Sequence, residues 1–262
     1  MIRISLISLL LVIGCFSVSS VFSSSSNTPR PTVTLPGKGS TVSGLSRVNF
    51  EDSIRSLYNS IGLAGKGLHY DVFRYGIIGF HSLKQDGKLS DRNLLTLIDF
   101  SKPSTEKRFY TIDLENRKVL FHSLVSHGRN TGENMATSFS NKPHSNQSSL
   151  GFYVTGETYV GSKGYSMRLD GFDGSYNSNM RARAVVMHEA DYVSEEWITK
   201  YGRLGRSQGC PALPKAISKK VIDTIKNKTL IFAYYNDTTY LRSSIHLNLD
   251  QLFVKLDAMA AL

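Results

Sequence analysis

The sequence predicts a β-rich α+β domain preceded by a small helical segment. Three observations carry this. From Tyr110 onward apolar and polar residues alternate with period two in several short runs. Only two helical patterns interrupt those runs, and many short strands with few helices define the class. Upstream, Phe50, Ile54, Leu57, Tyr58 and Ile61 share one helical face, with Gly62 as terminator.

Taken in order, the chain opens on an apolar run from Ile4 to Phe16 behind Arg3. It is too short for a spanning helix, which needs about 20 apolar residues. A basic start and small residues behind it have the layout of a secretory signal, assigned to residues 1–21. Residues 22–48 are rich in Ser, Thr, Pro and Gly and read as a flexible linker. Residues 49–104 read as helical, with Gly76 and Gly79 weakening a second helix around Val72 to Phe80.

The body spans 105–236. Tyr110, Ile112 and Leu114 form one arm of a hairpin, Glu115-Asn116-Arg117-Lys118 the turn, and 119–125 the return. Further strands are expected at 151–155, 165–170, 182–188 and 229–235. Ser194 caps a helix bearing Trp197, Ile198 and Tyr201 that stops at Gly202. Ile217, Val221, Ile222 and Ile225 form the face of another, starting near Pro214. Residues 237–262 read as a C-terminal tail.

A formal net charge of +10 favours an anionic partner, such as nucleic acid, a membrane surface or a carboxylate-rich polymer. Nucleic acid is the weakest of these: no basic run is long, the aromatic residues fall at core spacings, and export argues against it. There are two cysteines, Cys15 and Cys210. If the signal is cut or Cys15 is acylated, Cys210 remains a single free thiol, a candidate reactive group.

The chemistry concentrates in Val185-Val186-Met187-His188-Glu189-Ala190 and in the Gly-rich stretch 202–211, which carries Ser207-Gln208-Gly209-Cys210-Pro211. His188 ends an apolar strand and Cys210 sits in a loop before a helix, so the chain can return the thiol to the imidazole. An adjacent imidazole lowers a thiol from its usual pKa of about 8.5, and Arg203 and Arg206 add positive potential. The N–H groups of Gly209 and Cys210 can serve an oxyanion; Pro211 has none.

Rival patterns are weaker. Residues 205–209 spell Gly-x-Ser-x-Gly, with Asp237 and His246 downstream, but no buried strand precedes them as that elbow requires. His188-Glu189 begins a zinc motif whose fifth place is Tyr192. His122 and His127 fall on opposite faces of a strand. No metal site is expected.

These residues resemble the catalytic domain of YkuD-type murein L,D-transpeptidases, whose signature is a strand His followed by Ser-His-Gly-Cys. Here it stands as His188 with Ser207-Gln208-Gly209-Cys210. Val125-Ser126-His127-Gly128 and Leu150-Gly151-Phe152-Tyr153 resemble two earlier family segments. Gly202-Arg203-Leu204-Gly205-Arg206-Ser207-x-Gly209-Cys210-Pro211 is most similar to a divergent subgroup. Coverage is about 105–236. Gln208 replaces the family's second His, and Pro211-Ala212 its polar pair.

The resemblance implies mixed sheets or a sandwich with few helices, and a cysteine acyltransferase acting on peptidoglycan stem peptides. It implies Cys210 as nucleophile, His188 as base and Gly209 in the catalytic loop, with the Glu189 carbonyl orienting the imidazole. Ser207, Arg206 and Gln208, with His127 or Arg168 in place of the missing contacts, are the substrate-binding candidates. No cofactor is required. Water as acceptor gives an L,D-carboxypeptidase instead, and loss of turnover gives a peptidoglycan-binding lipoprotein. Val12-Ile13-Gly14-Cys15 is similar to a lipobox, making Cys15 a lipidation candidate in competition with simple cleavage. Either route places the protein outside the cytoplasm, in the periplasm or cell envelope.

Overall fold

The computed structural model describes residues 42–260, with side chains for 47–258. The signal segment, Cys15 and the linker up to residue 41 lie outside the described residues. Helices α1 (Val42–Ile61) and α2 (Tyr70–Gln85) come first, joined through a 3₁₀ turn at Ala64–Lys66. Strands β1 (Leu94–Asp99), β2 (Phe109–Asp113), β3 (Lys118–Ser123), β4 (Gly151–Gly161) and β5 (Gly164–Gly171) follow. Then come α3 (Gly174–Asn177), β6 (Val186–Ala190), α4 (Glu195–Tyr201), β7 (Ala212–Pro214), α5 (Lys215–Ile225) and β8 (Leu230–Tyr234). Helices α6 (Thr238–Ser243) and α7 (Leu249–Ala260) are the last elements among the described residues.

The strands form one mixed sheet in the order β3-β2-β1-β8-β4-β5-β6-β7, parallel at β1/β8 and β6/β7. Alternation sorts its residues into two cores. Leu95, Leu97, Phe152, Val154 and Phe232 face α1 and α2 through Ile54, Phe73 and Ile77. Ile98, Tyr153, Met167, Leu169 and Ile231 join Val221, Ile222 and Ile225 of α5. The α2 glycines have a packing reason: a Cβ at Gly79 would lie 2.1 Å from the Phe152 ring, and one at Gly76 2.6 Å from Leu97. Their absence lets the helix lie close on the sheet.

The two edges of this sheet nearly meet. Beyond β3 the Ser126 N–H donates to the Ala212 carbonyl of β7 at 3.0 Å, and Gly128 pairs with Ser207 as an isolated parallel bridge. The curl becomes close to a barrel, and its seam runs through residues 126–129 and 207–212.

The structure moves four expected boundaries. Helix α1 begins at Val42, inside the expected linker 22–48. Residues 49–104 are not all helical, because β1 is a central strand, buried from Leu95 to Asp99. A continuous apolar run buried on both faces has no period to distinguish it. The segment expected as a C-terminal tail folds onto the body over 237–260: Tyr240 is fully buried, Leu252 and Phe253 are buried, and the Tyr240 and Ser244 hydroxyls bond Asp173. Also, β6 starts at Val186 rather than 182, since Ala184 takes φ +55° in the preceding turn. Among the described residues no helix is long and apolar enough to cross a membrane.

Candidate active site

Strand β6 carries His188 and the loop before β7 carries Cys210, and parallel pairing sets them together. His188 is paired with Ala212, so Cys210 falls beside Val186, whose N–H donates to its Sγ at 3.4 Å. The thiol also lies 3.9 Å from the Ala184 carbonyl. His188 is buried, and its Nδ1 makes a 2.7 Å bond to the Glu189 carbonyl. A carbonyl only accepts, so Nδ1 carries the hydrogen and Nε2 is the basic nitrogen. Residues 186 and 188 point to the same side of the strand, which brings thiol and imidazole to one cleft of about 400 Å³.

The loop that presents Cys210 is fixed by its own polar groups. Ser207 Oγ accepts from the Gly209 N–H at 3.0 Å and donates to the Cys210 carbonyl at 2.6 Å. The Gly209 N–H is therefore committed within the loop, contrary to the expectation that it serves an oxyanion; the Cys210 N–H is the loop donor that remains. Gly209 takes φ +121°, and a Cβ there would sit 2.7 Å from the Gln147 carbonyl oxygen. Ser148 Oγ links the same loop to residue 128, donating to the Gly209 carbonyl at 3.2 Å and accepting from the Gly128 N–H at 3.0 Å.

The electrostatics favour a neutral resting pair. Burial pushes the Cys210 thiol above 9, outweighing the Val186 N–H and the positive charges of Arg183 and Lys163. Burial likewise lowers His188 below 6.5, the Glu189 carbonyl opposing and Lys163 reinforcing. At neutral pH the site holds a protonated thiol and a neutral imidazole, which can take the thiol proton as a bond forms at sulfur. This differs from the thiolate that the neighbouring Arg residues suggested. Arg203 and Arg206 both pair with Glu133, at 2.8 and 2.6 Å, which offsets their charge.

Arg206, Ser207 and Gln208 line the cleft with His188 and Cys210. His127 does not reach it: the side chain is 1% exposed, and Arg108 Nη2 donates to its Nδ1 at 2.7 Å. Its Nε2–H is directed to the Gly132 and Glu133 carbonyls. Burial and the Arg108 charge lower its pKa to about 4. Arg168 does not line the cleft; its guanidinium stacks 4.5 Å over the ring of Tyr159, which does. The Arg203-Leu204 stretch precedes Ser207 without forming a strand, while Asp237 caps α6 and His246 bonds the Phe172 carbonyl, so the serine-hydrolase pattern has no geometry. Among the described residues no group of three His, Cys, Asp or Glu could hold a metal ion.

Sequence reasoning missed Arg129, Tyr159, Lys163 and Tyr192 in the cleft walls. Lys163 comes from the tight β4–β5 turn, and Tyr192 packs against Gly205, where a Cβ would meet it at 2.3 Å. It also missed Arg183, which donates to Ser140 and Gln147 carbonyls at 2.7 Å and holds loop 140–149 against Gly209. No local pattern marks these residues; each depends on tertiary approach.

A mixed, nearly closed sheet with few helices, whose seam sets a cysteine loop facing a strand histidine, defines a β-rich domain of the α+β class. The sequence model of the family described as L,D-transpeptidase catalytic domain (YkuD_2) matches residues 64–234, and the chain belongs to this family. No curated protein matches the sequence. Among solved structures, the chain is similar to an L,D-transpeptidase from Mycobacterium smegmatis, 13% identical over 55% of this chain and 59% of that one, with TM-score 0.35. It is also similar to the helical cell shape determining protein Pgp2 from Campylobacter jejuni, 13% identical over 68% of this chain and 64% of that one, with TM-score 0.39. An L,D-transpeptidase from Xylanimonas cellulosilytica is 16% identical over 55% and 62% of the two chains, with TM-score 0.32. The chain thus spans 59%, 64% and 62% of these relatives. The family match begins at residue 64, so the second helix belongs with the sheet it covers.

Proposed function

We propose that this protein is an L,D-transpeptidase, a cysteine acyltransferase that cross-links peptidoglycan stem peptides through a thioester on Cys210. The observation that carries the reading is the β6/β7 pairing, which sets the Cys210 thiol and the His188 imidazole in one cleft with Nδ1 tied to the Glu189 carbonyl. In the first half-reaction Cys210 Sγ attacks the carbonyl of the third stem residue, and its proton passes to His188 Nε2. The oxyanion meets the Cys210 N–H. The C–N bond to the terminal D-residue breaks, and His188 returns the proton to the leaving amine. In the second, an amine of another stem attacks the thioester, its proton goes to His188, and the thiol re-forms. Water in place of that amine gives L,D-carboxypeptidase activity.

Arg129, Lys163 and Arg206 line the cleft; with Arg206 paired to Glu133, the positive charge of Arg129 and Lys163 suits a peptide rich in carboxylates. On this reading residues 1–21 direct export to the periplasm or cell envelope, and Cys15 is the residue that a lipid anchor would modify.

The test is incubation with purified tetrapeptide muropeptides, followed by mass spectrometry, with Cys210→Ala as control. Dimers that vanish in the variant establish transfer; loss of one terminal residue without dimers establishes hydrolysis. No conversion by a folded protein whose thiol also ignores β-lactams would leave a wall-binding lipoprotein.

A further inference from the structure

A second concave site lies on the far flank of the loop that braces Gly209. This groove, about 540 Å³, runs between loop residues 137–142 and the segments of α3 and the β8 end that face them. Its walls present three half-buried aromatic rings, Phe139, Tyr176 and Tyr235. Phe139 and Tyr235 pack at 5.0 Å between centroids, tilted by 48°, and Tyr176 is fixed edge-on against the buried Tyr240. Hydrogen-bonding groups rim these rings. Asp237 caps α6 through Oδ1 and also lines the groove. Ser138 Oγ accepts from Gln147 at 2.6 Å and keeps its own hydrogen to donate.

The chemistry of this groove differs from that of the cleft. The cleft wall holds three cations and no carboxylate. The groove wall holds one cation, Lys142, against one carboxylate, Asp237. Fixed aromatic rings with a rim of hydroxyl and carboxylate groups and no net charge match a pyranose ring, whose C–H face is apolar and whose edge is hydroxylated. An anionic peptide has no such match there.

One loop joins the two sites. Arg183 donates to the Ser140 carbonyl on the groove side and to the Gln147 carbonyl that abuts Gly209. We propose that this groove binds a sugar unit of a glycan strand, so that a peptide attached to the strand is presented to Cys210. The sugar site stands on the groove itself; its coupling to a peptide rests on the proposed function.

The test is titration of the full chain with the N-acetylglucosamine tetramer, followed by amide NMR shifts and calorimetry. Saturable binding with shifts centred on Ser138, Tyr176 and Tyr235 is expected. Tyr235→Ala should weaken it by about tenfold or more by removing a ring face, whereas Tyr235→Phe should keep the ring contact. Ser175→Trp, at an exposed lip position, should block the groove without disturbing the core. Cys210→Ala should bind like the parent. No binding at millimolar tetramer, or binding that survives both Tyr235→Ala and Ser175→Trp, overturns the proposal. Sugar binding without muropeptide conversion would overturn only the catalytic reading.

Discussion

The Val186 amide donates to Cys210 Sγ at 3.4 Å, two residues before His188 on the same strand. One strand thus holds the sulfur by its backbone and presents the base by its side chain. A β6 amide holds the sulfur, and the Glu189 carbonyl of the same strand holds the imidazole.

This pair should titrate as two neutral groups. Burial raises the thiol above 9, so alkylation of Cys210 by iodoacetamide should climb about tenfold per pH unit through neutrality, as the thiolate fraction does. Burial lowers His188, so turnover should rise with pH below 6.5 and level off once the imidazole is neutral. Lys163→Gln removes a charge that lowers both groups, and should move both curves to higher pH. Alkylation already on a plateau below pH 8 would show a resting thiolate instead.

Gly209→Ala places a Cβ 2.7 Å from the Gln147 carbonyl oxygen at φ +121°. Strain of this kind costs about 1–3 kcal/mol, and a loop shifted by about 1 Å can lose about 10²-fold in rate. The variant should therefore lose activity far out of proportion to its fall in melting temperature, measured by calorimetry beside muropeptide turnover.

His127 makes the fold acid-sensitive. Its folded pKa of about 4 lies below the ordinary 6.5, so the unfolded chain binds the extra proton between those values. The contribution is complete above pH 6.5 and is lost as pH falls towards 4, by about 3 kcal/mol. Urea unfolding of His127→Asn should show a shallower pH slope across this window than the parent. An unchanged slope assigns the effect to another histidine.

Asp173 ties the C-terminal helices to the sheet. Its carboxylate accepts from the Phe152 N–H at 2.6 Å, the Tyr240 hydroxyl at 3.0 Å and the Ser244 hydroxyl at 2.6 Å, and it is 5% exposed. Asp173→Ala leaves three buried donors unpaired, at a cost of about 3–5 kcal/mol. A fall of about 10 °C in melting temperature is expected. Faster proteolysis after residue 237 should accompany it.

Local signals were the legible part of this fold. Ser194 accepts from the Trp197 N–H at 3.2 Å, and Gly202 ends α4 at φ +69°, as the cap and stop residues indicated. The expected hairpin is present, its turn displaced by one residue to 114–117, so that Leu114 leaves the first arm and Lys118 opens β3. Period fails where burial is two-sided, which hid β1 among helices. His127 illustrates a different limit. Its neighbourhood in the sequence pointed to substrate, but Arg108, 19 residues earlier, lies beneath it and uses Nδ1. An arginine leading directly into the strand residues 109–112 was the sign that a buried partner had to exist. Lys163 and Arg129 enter the cleft only because the sheet curls, which no local pattern records.

That curl has a thermodynamic consequence. The seam between the sheet edges rests on few hydrogen bonds, among them Ser126 to Ala212 and Ser207 to the His127 carbonyl. The cleft spans this seam, with Arg129 on one side and Ser207 and Cys210 on the other. An occupant touching both sides acts as a staple across the opening that unfolding must create. At a hundredfold excess over its dissociation constant it adds about 2.7 kcal/mol of stability. Heat resistance can therefore register what enters the cleft even when nothing is turned over.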